Sequence, residues 1–372
     1  MVNQWQLLEL HRRPDVILKF VELPPYRSKW RAEKGLFTPD EELVLQSLTV
    51  AGPDEAADVT FRISLPYDFS LSRSARTTVF ATSETQALWR DQFLNPSLYD
   101  KLKDGVPKGL SVVTPSRWSA EAYYNAGFPD DQVHIVPHGV DTATFRPLPE
   151  LRSACRRELS VAESEFVFLS VGAMTGNKGI DILLRAFSRI SRRFPGTRLV
   201  LKGLDAVFGS DLFLSKHMEL LSLEERRQLR GRVTYLGGSR SNTEMAELYQ
   251  LADAYVSPYR AEGFNIPVLE AIACGVPVIC TRGGPTDDFV TNNVGQMIDS
   301  RKVRMRVTGR EGWRLEPNLE HLIALMSSVI DDHHWRRKVA EEGPKHVQTS
   351  YSWCRVVDRL VDRLFDQGAC PH

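Results

Sequence analysis

Two glutamates, Glu262 and Glu270, open a strongly apolar stretch, "AEGFNIPVLEAIACGVPVI", from residue 261 to 279. A carboxylate among apolar residues is costly to bury without a partner. When ionised it only accepts hydrogen bonds, which suits sugar hydroxyls better than phosphate. A second stretch, "SVGAMTGNKGID" from 170 to 181, links an apolar run to Lys178 through a glycine-containing loop. Loop amides plus one ammonium can hold an anion such as a diphosphate. The loop has neither the G-x-x-x-x-G-K-[ST] order nor G-x-G-x-x-G. On residue types alone each stretch fits a blander description equally well. Glu270 suits the solvent side of a short helix, and 170–181 a tight strand-to-helix turn.

Other chemistry is poorly represented. G-x-S-x-G, H-E-x-x-H and D-x-D do not occur in the chain. The run "DDHH" (331–334) spreads its side chains around a helix, so it reads as solvated surface and no metal site is assigned. His134 and His138, around "VHIVPHGVD", are assigned to a turn.

The elements that position the two stretches follow from their punctuation. Pro267 suits a first helical turn, Asn265 can cap just before it, and Gly275 and Pro277 end it. The helix therefore spans about 266 to 274, with Glu270 one turn in. From 166 onward strand and helix patterns alternate. "FVFLSVGAM" leads to a helix carrying Ile180, Leu183, Leu184, Phe187 and Ile190 on one face, then strand "TRLVLKG". A long helical region "DLFLSKHMELLSLEERRQLRGR" precedes strand "VTYLG", helix "NTEMAELYQLAD", strand "AYVSP", the glutamate helix and strand "VPVICT". This alternation predicts a doubly wound parallel sheet. Such sheets bind ligands where a strand's carboxyl end feeds a helix N-terminus, placing the amides of Gly263, Phe264 and Asn265 toward an anion.

The first half is less regular. "DVILKFVEL", "DVTFRISLP", "RTTVFATS", "LSVVTPS" and "VHIVPHGVD" are strand candidates, and "SAEAYYNAGF" a helix candidate, for a smaller second α/β domain. Near the end, "WCRVVDRLVDRL" places Trp353, Val356, Val357, Leu360 and Leu364 on one helical face that must pack. "RKVRMRVTGR" (301–310) reads as a solvated loop or edge hairpin, with an anionic lipid or anionic acceptor site as the other reading.

Length and composition bound the rest. The 372 residues suit two to three domains, with 42% apolar and 25% charged residues. Lys+Arg and Asp+Glu balance at 47 each, which gives no argument for nucleic acid as partner. No apolar run approaches the roughly 20 residues of a membrane helix. The N-terminus lacks a signal-peptide layout, and the five cysteines lack framework spacing, so a cytoplasmic protein with reduced thiols is expected.

Taken together, "YRAEGFNIPVLEAIACGVPVICTRGG" resembles the signature of family 4 glycosyltransferases, retaining enzymes of the GT-B fold. "VGAMTGNKGIDILLRAF", "VVTPSRWSAEAYYNAGFPDDQVHIVPHGVDTATFRP" and "YSWCRVVDRL" fit that family in the same order, covering roughly 110 to 365. The resemblance implies two Rossmann-like doubly wound domains facing a cleft. They would be an acceptor-side domain (1–148) and a nucleotide-sugar domain (149–348), with a C-terminal helix (349–372) crossing back to the first.

It further implies a UDP-, GDP- or ADP-sugar donor, no metal or other cofactor, and a glycan, lipid-linked, protein or small-molecule acceptor. Lys178 would stabilise the departing diphosphate beside Gly172. Glu262 and the amides of Gly263, Phe264 and Asn265 would hold the sugar, Glu270 the ribose, and Gly237 and Gly238 would lie near the base. Peripheral contact with the inner face of a membrane is compatible with this reading. Departures are Ala173 where Arg is frequent, with Arg260 a candidate replacement or else a surface residue, Asn265 where Gly is frequent, and His138 where Asn is frequent. The family's first strand is not recognisable before residue 60, and "FATSE" with Ser83 and Glu84 stands where a histidine often ends a strand. The N-terminal domain is therefore expected to be shortened or diverged, or to begin after missing sequence. These departures support a rival reading, a non-catalytic partner subunit of the same fold.

Overall fold

Short runs of β-branched and aromatic residues build the first sheet. In the computed structural model, which describes residues 2–23, 37–52, 55–102, 104–307 and 310–365, four strands form: β1 (Val59–Ile63), β2 (Arg76–Phe80), β3 (Leu110–Thr114) and β4 (Val133–Ile135). They are parallel and lie in chain order. They belong to a first unit made of Met1–Gly139, Met305–Gly312 and Tyr351–His372. The candidate strand "DVILKFVEL" does not form. Only Phe20 bridges, to Val50, and Ile17 is 94% exposed. Val16 and Leu18 rest on Leu10, Val357 and Val361, but beyond the single bridge no neighbouring strand pairs with the run among the described residues, so it does not join a sheet.

The C-terminal helix, Trp353–Phe365, returns to this first unit as expected. Its Trp353, Val356, Leu360 and Leu364 are buried with Trp5, Leu8, Val113 and Val136. The rings of Trp5 and Trp353 stack at 6.3 Å. A Cβ on Gly139 would sit 2.7 Å from the Trp353 ring, so the helix seats directly on backbone there.

The second unit spans Val140–Arg304 and Trp313–Ser350. Its sheet holds β5 (Phe166–Val171), β6 (Thr197–Lys202), β7 (Val233–Leu236), β8 (Ala254–Ser257), β9 (Val278–Thr281) and β10 (Gly295–Ile298). The order is β10-β9-β8-β5-β6-β7, all parallel, so the winding direction reverses between β5 and β8. The face of helix Ile180–Arg193 read from the sequence is buried as expected, with Leu183, Leu184, Phe187 and Ile190 at 0% exposure. The long helix expected over 211–232 is broken into pieces, Ser210–Glu219 and Leu223–Leu229, preceded by a single turn Asp205–Phe208. Gly209, at φ +57, separates the first two, and Ser222 with Glu225 forms a capping box that starts the last.

The basic run forms the hairpin alternative. β11 (Ser300–Val307) and β12 (Arg310–Pro317) make a two-stranded sheet in which Arg301, Lys302, Arg304 and Arg306 are exposed. Two Rossmann-like units with a C-terminal helix on the first constitute the GT-B architecture. Among the described residues, no helix is long and apolar enough to cross a membrane.

Candidate active site

The reversal between β5 and β8 brings two loops side by side at the carboxyl ends of those strands, the place where such sheets bind ligands. The loop after β5 carries Gly172 to Gly179, and the loop after β8 carries Pro258 to Asn265. Lys178 and Glu262, 84 positions apart, form an ion pair here, with Glu262 only 6% exposed. Gly172 lies under the lysine stem, where a Cβ would meet Lys178 Cε at 3.4 Å.

The loops are locked to each other by backbone. The amide of Arg260 donates to Asn177 O at 2.7 Å. A Cβ on Gly179 would fall 1.9 Å from Pro258 O, and Gly179 has φ +68. Only glycine tolerates both demands. Gly179→Ala should therefore cost at least about 2 kcal/mol, read as a lower midpoint in urea unfolding, with the Lys178 site displaced.

Arg260 does not serve as a free phosphate clamp. Its guanidinium binds Asp181 at 2.6 and 2.9 Å, Glu316 at 2.9 and 3.1 Å, and Gly176 O at 3.1 Å. Two carboxylates neutralise it, and its fork is filled. Its work is structural: it ties the loop after β5 to β12 through Glu316. Asp181 titrates below the usual range because Arg260 outweighs the desolvation of its carboxyl.

Asn265 also differs from expectation. It precedes helix Ile266–Ala273, but its side chain makes no cap hydrogen bond. Its backbone is left-handed, at φ +80, and Nδ2 donates to Ser257 Oγ at 3.0 Å. A left-handed backbone is the conformation that glycine adopts most readily. Phe264 is buried against Phe289, with ring centroids 4.9 Å apart, so its side chain serves the core and only its backbone is left for a ligand role.

Glu270 sits one turn into the helix, as read from the sequence. Tyr249 Oη donates to its Oε2 at 2.7 Å and lies 3.2 Å from Pro267 O. Glu270 is partly accessible, and the desolvation of its carboxyl pushes it up to about 7 against the opposing pull of Tyr249. Tyr255, buried in β8, is raised by burial first and by the charges of Glu270 and Glu262 in turn. Neither Tyr249 nor Tyr255 was singled out from the sequence. Both sit where an apolar residue would also fit, and only their hydroxyl partners set them apart.

Gly237 and Gly238 follow β7, two strands from β5 on the same carboxyl edge. Gly237 is required by packing, since a Cβ would overlap Asp205 Oδ2 at 1.7 Å, whereas a Cβ on Gly238 would meet nothing within 4 Å. Asp205 is held by Tyr235 and by its own amide on Gly237 O. Among the described residues no group of three or more His, Cys, Asp or Glu is placed to hold a metal ion, and residues 331–334 are exposed.

With this geometry in place, likeness to known proteins can be weighed. Residues 152–346 match the family described as glycosyl transferases group 1. A D-inositol 3-phosphate glycosyltransferase of Segniliparus rotundus is 34% identical over 179 residues, 48% of this chain and 38% of that protein. A lipopolysaccharide 1,2-N-acetylglucosaminetransferase of Salmonella typhimurium is 25% identical over 261 residues, 68% of this chain and 61% of that protein. The structure of Anabaena HepE in complex with UDP-glucose superposes with a TM-score of 0.63 at 17% identity, covering 78% of this chain and 72% of that one. The matches thus span less than two thirds of either relative, and the structural likeness speaks for the fold.

Proposed function

Because the chain belongs to the glycosyl transferases group 1 family, we propose that it transfers a sugar from a nucleotide-sugar donor to an acceptor hydroxyl, with retention at the anomeric carbon. The observation that carries this reading is the Lys178–Glu262 pair at the switch point, backed by Glu270 on the adjoining helix.

In this reading the donor diphosphate lies across the loop 172–179. Lys178 exchanges Glu262 for a phosphate oxygen and stabilises the charge that grows as the leaving group departs. Glu262, relieved of its partner, accepts hydroxyls of the sugar beside the amides of Gly263, Phe264 and Asn265. Glu270 Oε1, which takes no protein hydrogen bond among the described residues, accepts from the ribose, and the base lies toward Gly237 and Gly238. The bond between the anomeric carbon and the diphosphate oxygen breaks while one to the acceptor oxygen forms on the same face. The acceptor proton passes to the leaving diphosphate. Lys178 and the loop amides, rather than a divalent cation, carry the electrostatic load.

Donor and acceptor classes stay wide. The two curated relatives carry names of an inositol phosphate and a lipopolysaccharide acceptor, so the acceptor is proposed only as a hydroxyl of a glycan, lipid-linked, protein or small molecule. UDP-, GDP- and ADP-sugars should be screened by thermal shift and by release of free nucleotide. One class is expected to raise the melting temperature and to be turned over. Binding without turnover toward any acceptor would favour the partner-subunit reading, and no binding would overturn both.

A further inference from the structure

We infer that Tyr249 is a positioning residue for the nucleotide, fixing the Glu270 carboxylate through Oε2 so that Oε1 is presented to the ribose hydroxyls. The inference rests on the nucleotide-sugar reading and extends it to a residue that does not touch the ligand.

The geometry separates this role from plain core packing. Tyr249 is fully buried, its ring edge-on to Phe145 at 6.1 Å and tilted against Tyr255 at 6.0 Å. Its single hydroxyl proton has two acceptors, Pro267 O at 3.2 Å and Glu270 Oε2 at 2.7 Å. The carbonyl alone would satisfy a structural tyrosine. The shorter contact goes to the carboxylate, a charge-assisted bond that only the ionised acid fully exploits. The hydroxyl reaches both ends of one helical turn, Pro267 and Glu270, so it sets the side chain relative to the helix N-terminus.

The groups acting on this carboxyl are few. Tyr249 on helix Asn242–Gln250, Tyr255 on β8 and Cys274, just past the end of helix Ile266–Ala273, couple to it, and burial raises all three well above their ordinary values, so they stay neutral near pH 7. Among the described residues no Lys, Arg or acidic group shifts Glu270. Its ionisation is therefore governed by desolvation against one hydrogen bond. Loss of that bond moves the titration upward.

The test is donor affinity against pH, from 5.5 to 9, by isothermal titration of UDP-, GDP- and ADP-glucose, whose phosphodiester charges do not titrate in this range. In the unmodified protein affinity should rise with pH through about 7, as the accepting carboxylate forms. Tyr249→Phe keeps the ring and should move that midpoint up by about one pH unit. Affinity at pH 7 then falls about 5- to 10-fold but returns to within about twofold at pH 9. A loss of the same size at every pH would mark a merely structural tyrosine and overturn the inference, as would an unchanged profile. Glu270→Gln separates the two layers. If it weakens binding while Tyr249→Phe leaves the midpoint in place, only the inference fails. If Glu270→Gln binds as tightly as the unmodified protein, the ribose role and the inference fail together.

Discussion

Lys178→Met should lower kcat by about 100- to 1,000-fold while raising KM for the donor by no more than about tenfold. The asymmetry follows from where charge appears. A bound donor carries its diphosphate charge before reaction, and the open loop amides share it. In the proposed reaction additional charge collects on the departing oxygen as the glycosidic bond breaks, and Lys178, held at the switch point by Glu262, is the ammonium that would meet it. The substitution has a second consequence, because Glu262 is 6% exposed and loses its counter-charge. An unpaired buried carboxylate is strained, so the single variant should also unfold at lower denaturant. The double variant Lys178→Met/Glu262→Gln removes that strain. It should recover the unfolding midpoint and still turn over about 100-fold or more slower than Glu262→Gln alone, the reference that carries the loss of the sugar contact. If the double variant turns over as fast as Glu262→Gln, Lys178 acts on the fold and not on the leaving group. Steady-state kinetics and urea unfolding on these variants and the unmodified protein decide it.

This site is fixed by bonds that a linear reading reaches unevenly. The second unit was legible because each strand and helix is local: an apolar run, a turn, then a 3.6-residue repeat. The two glutamates and Lys178 stand out by type, yet type alone leaves a solvent-side glutamate and a tight turn as equal readings, and their assignment to a nucleotide-sugar site comes with the family resemblance. The partners do not stand out. Arg260 meets Asp181 and Glu316 across 79 and 56 positions, and nothing local distinguishes it from a phosphate clamp or a surface arginine. Its fork becomes a tie only when β12 and the loop after β5 are brought together. Asn265 was read as a cap from its type, yet its left-handed backbone leaves the side chain to Ser257. In the first unit "DVILKFVEL" had strand composition but no sheet surface, and strand propensity is a statement about such a surface.

Glu270→Gln should make the protein more stable and a poorer binder, and the stability gain should depend on pH. The folded carboxyl titrates at about 7, against an ordinary value of 4.5. Between those values the native state holds a proton that the unfolded chain has released. Stability therefore falls as pH rises from about 4.5 to about 7 and is flat above, the opposite of a salt-bridged acid. The full span corresponds to about 3 kcal/mol at this one position. Glutamine is neutral throughout, fills the same volume and can still accept from Tyr249 through its amide oxygen. Unfolding in urea should show the variant level with the unmodified protein near pH 4.5 and more stable by about 2–3 kcal/mol at pH 8. Donor affinity at pH 8 should fall about 10- to 100-fold, since a charged acceptor facing the ribose is replaced by a neutral amide. If stability does not change with this substitution at pH 8, the carboxyl is solvated and titrates normally. If stability rises and affinity holds, the strain is real but the ribose is not what it serves.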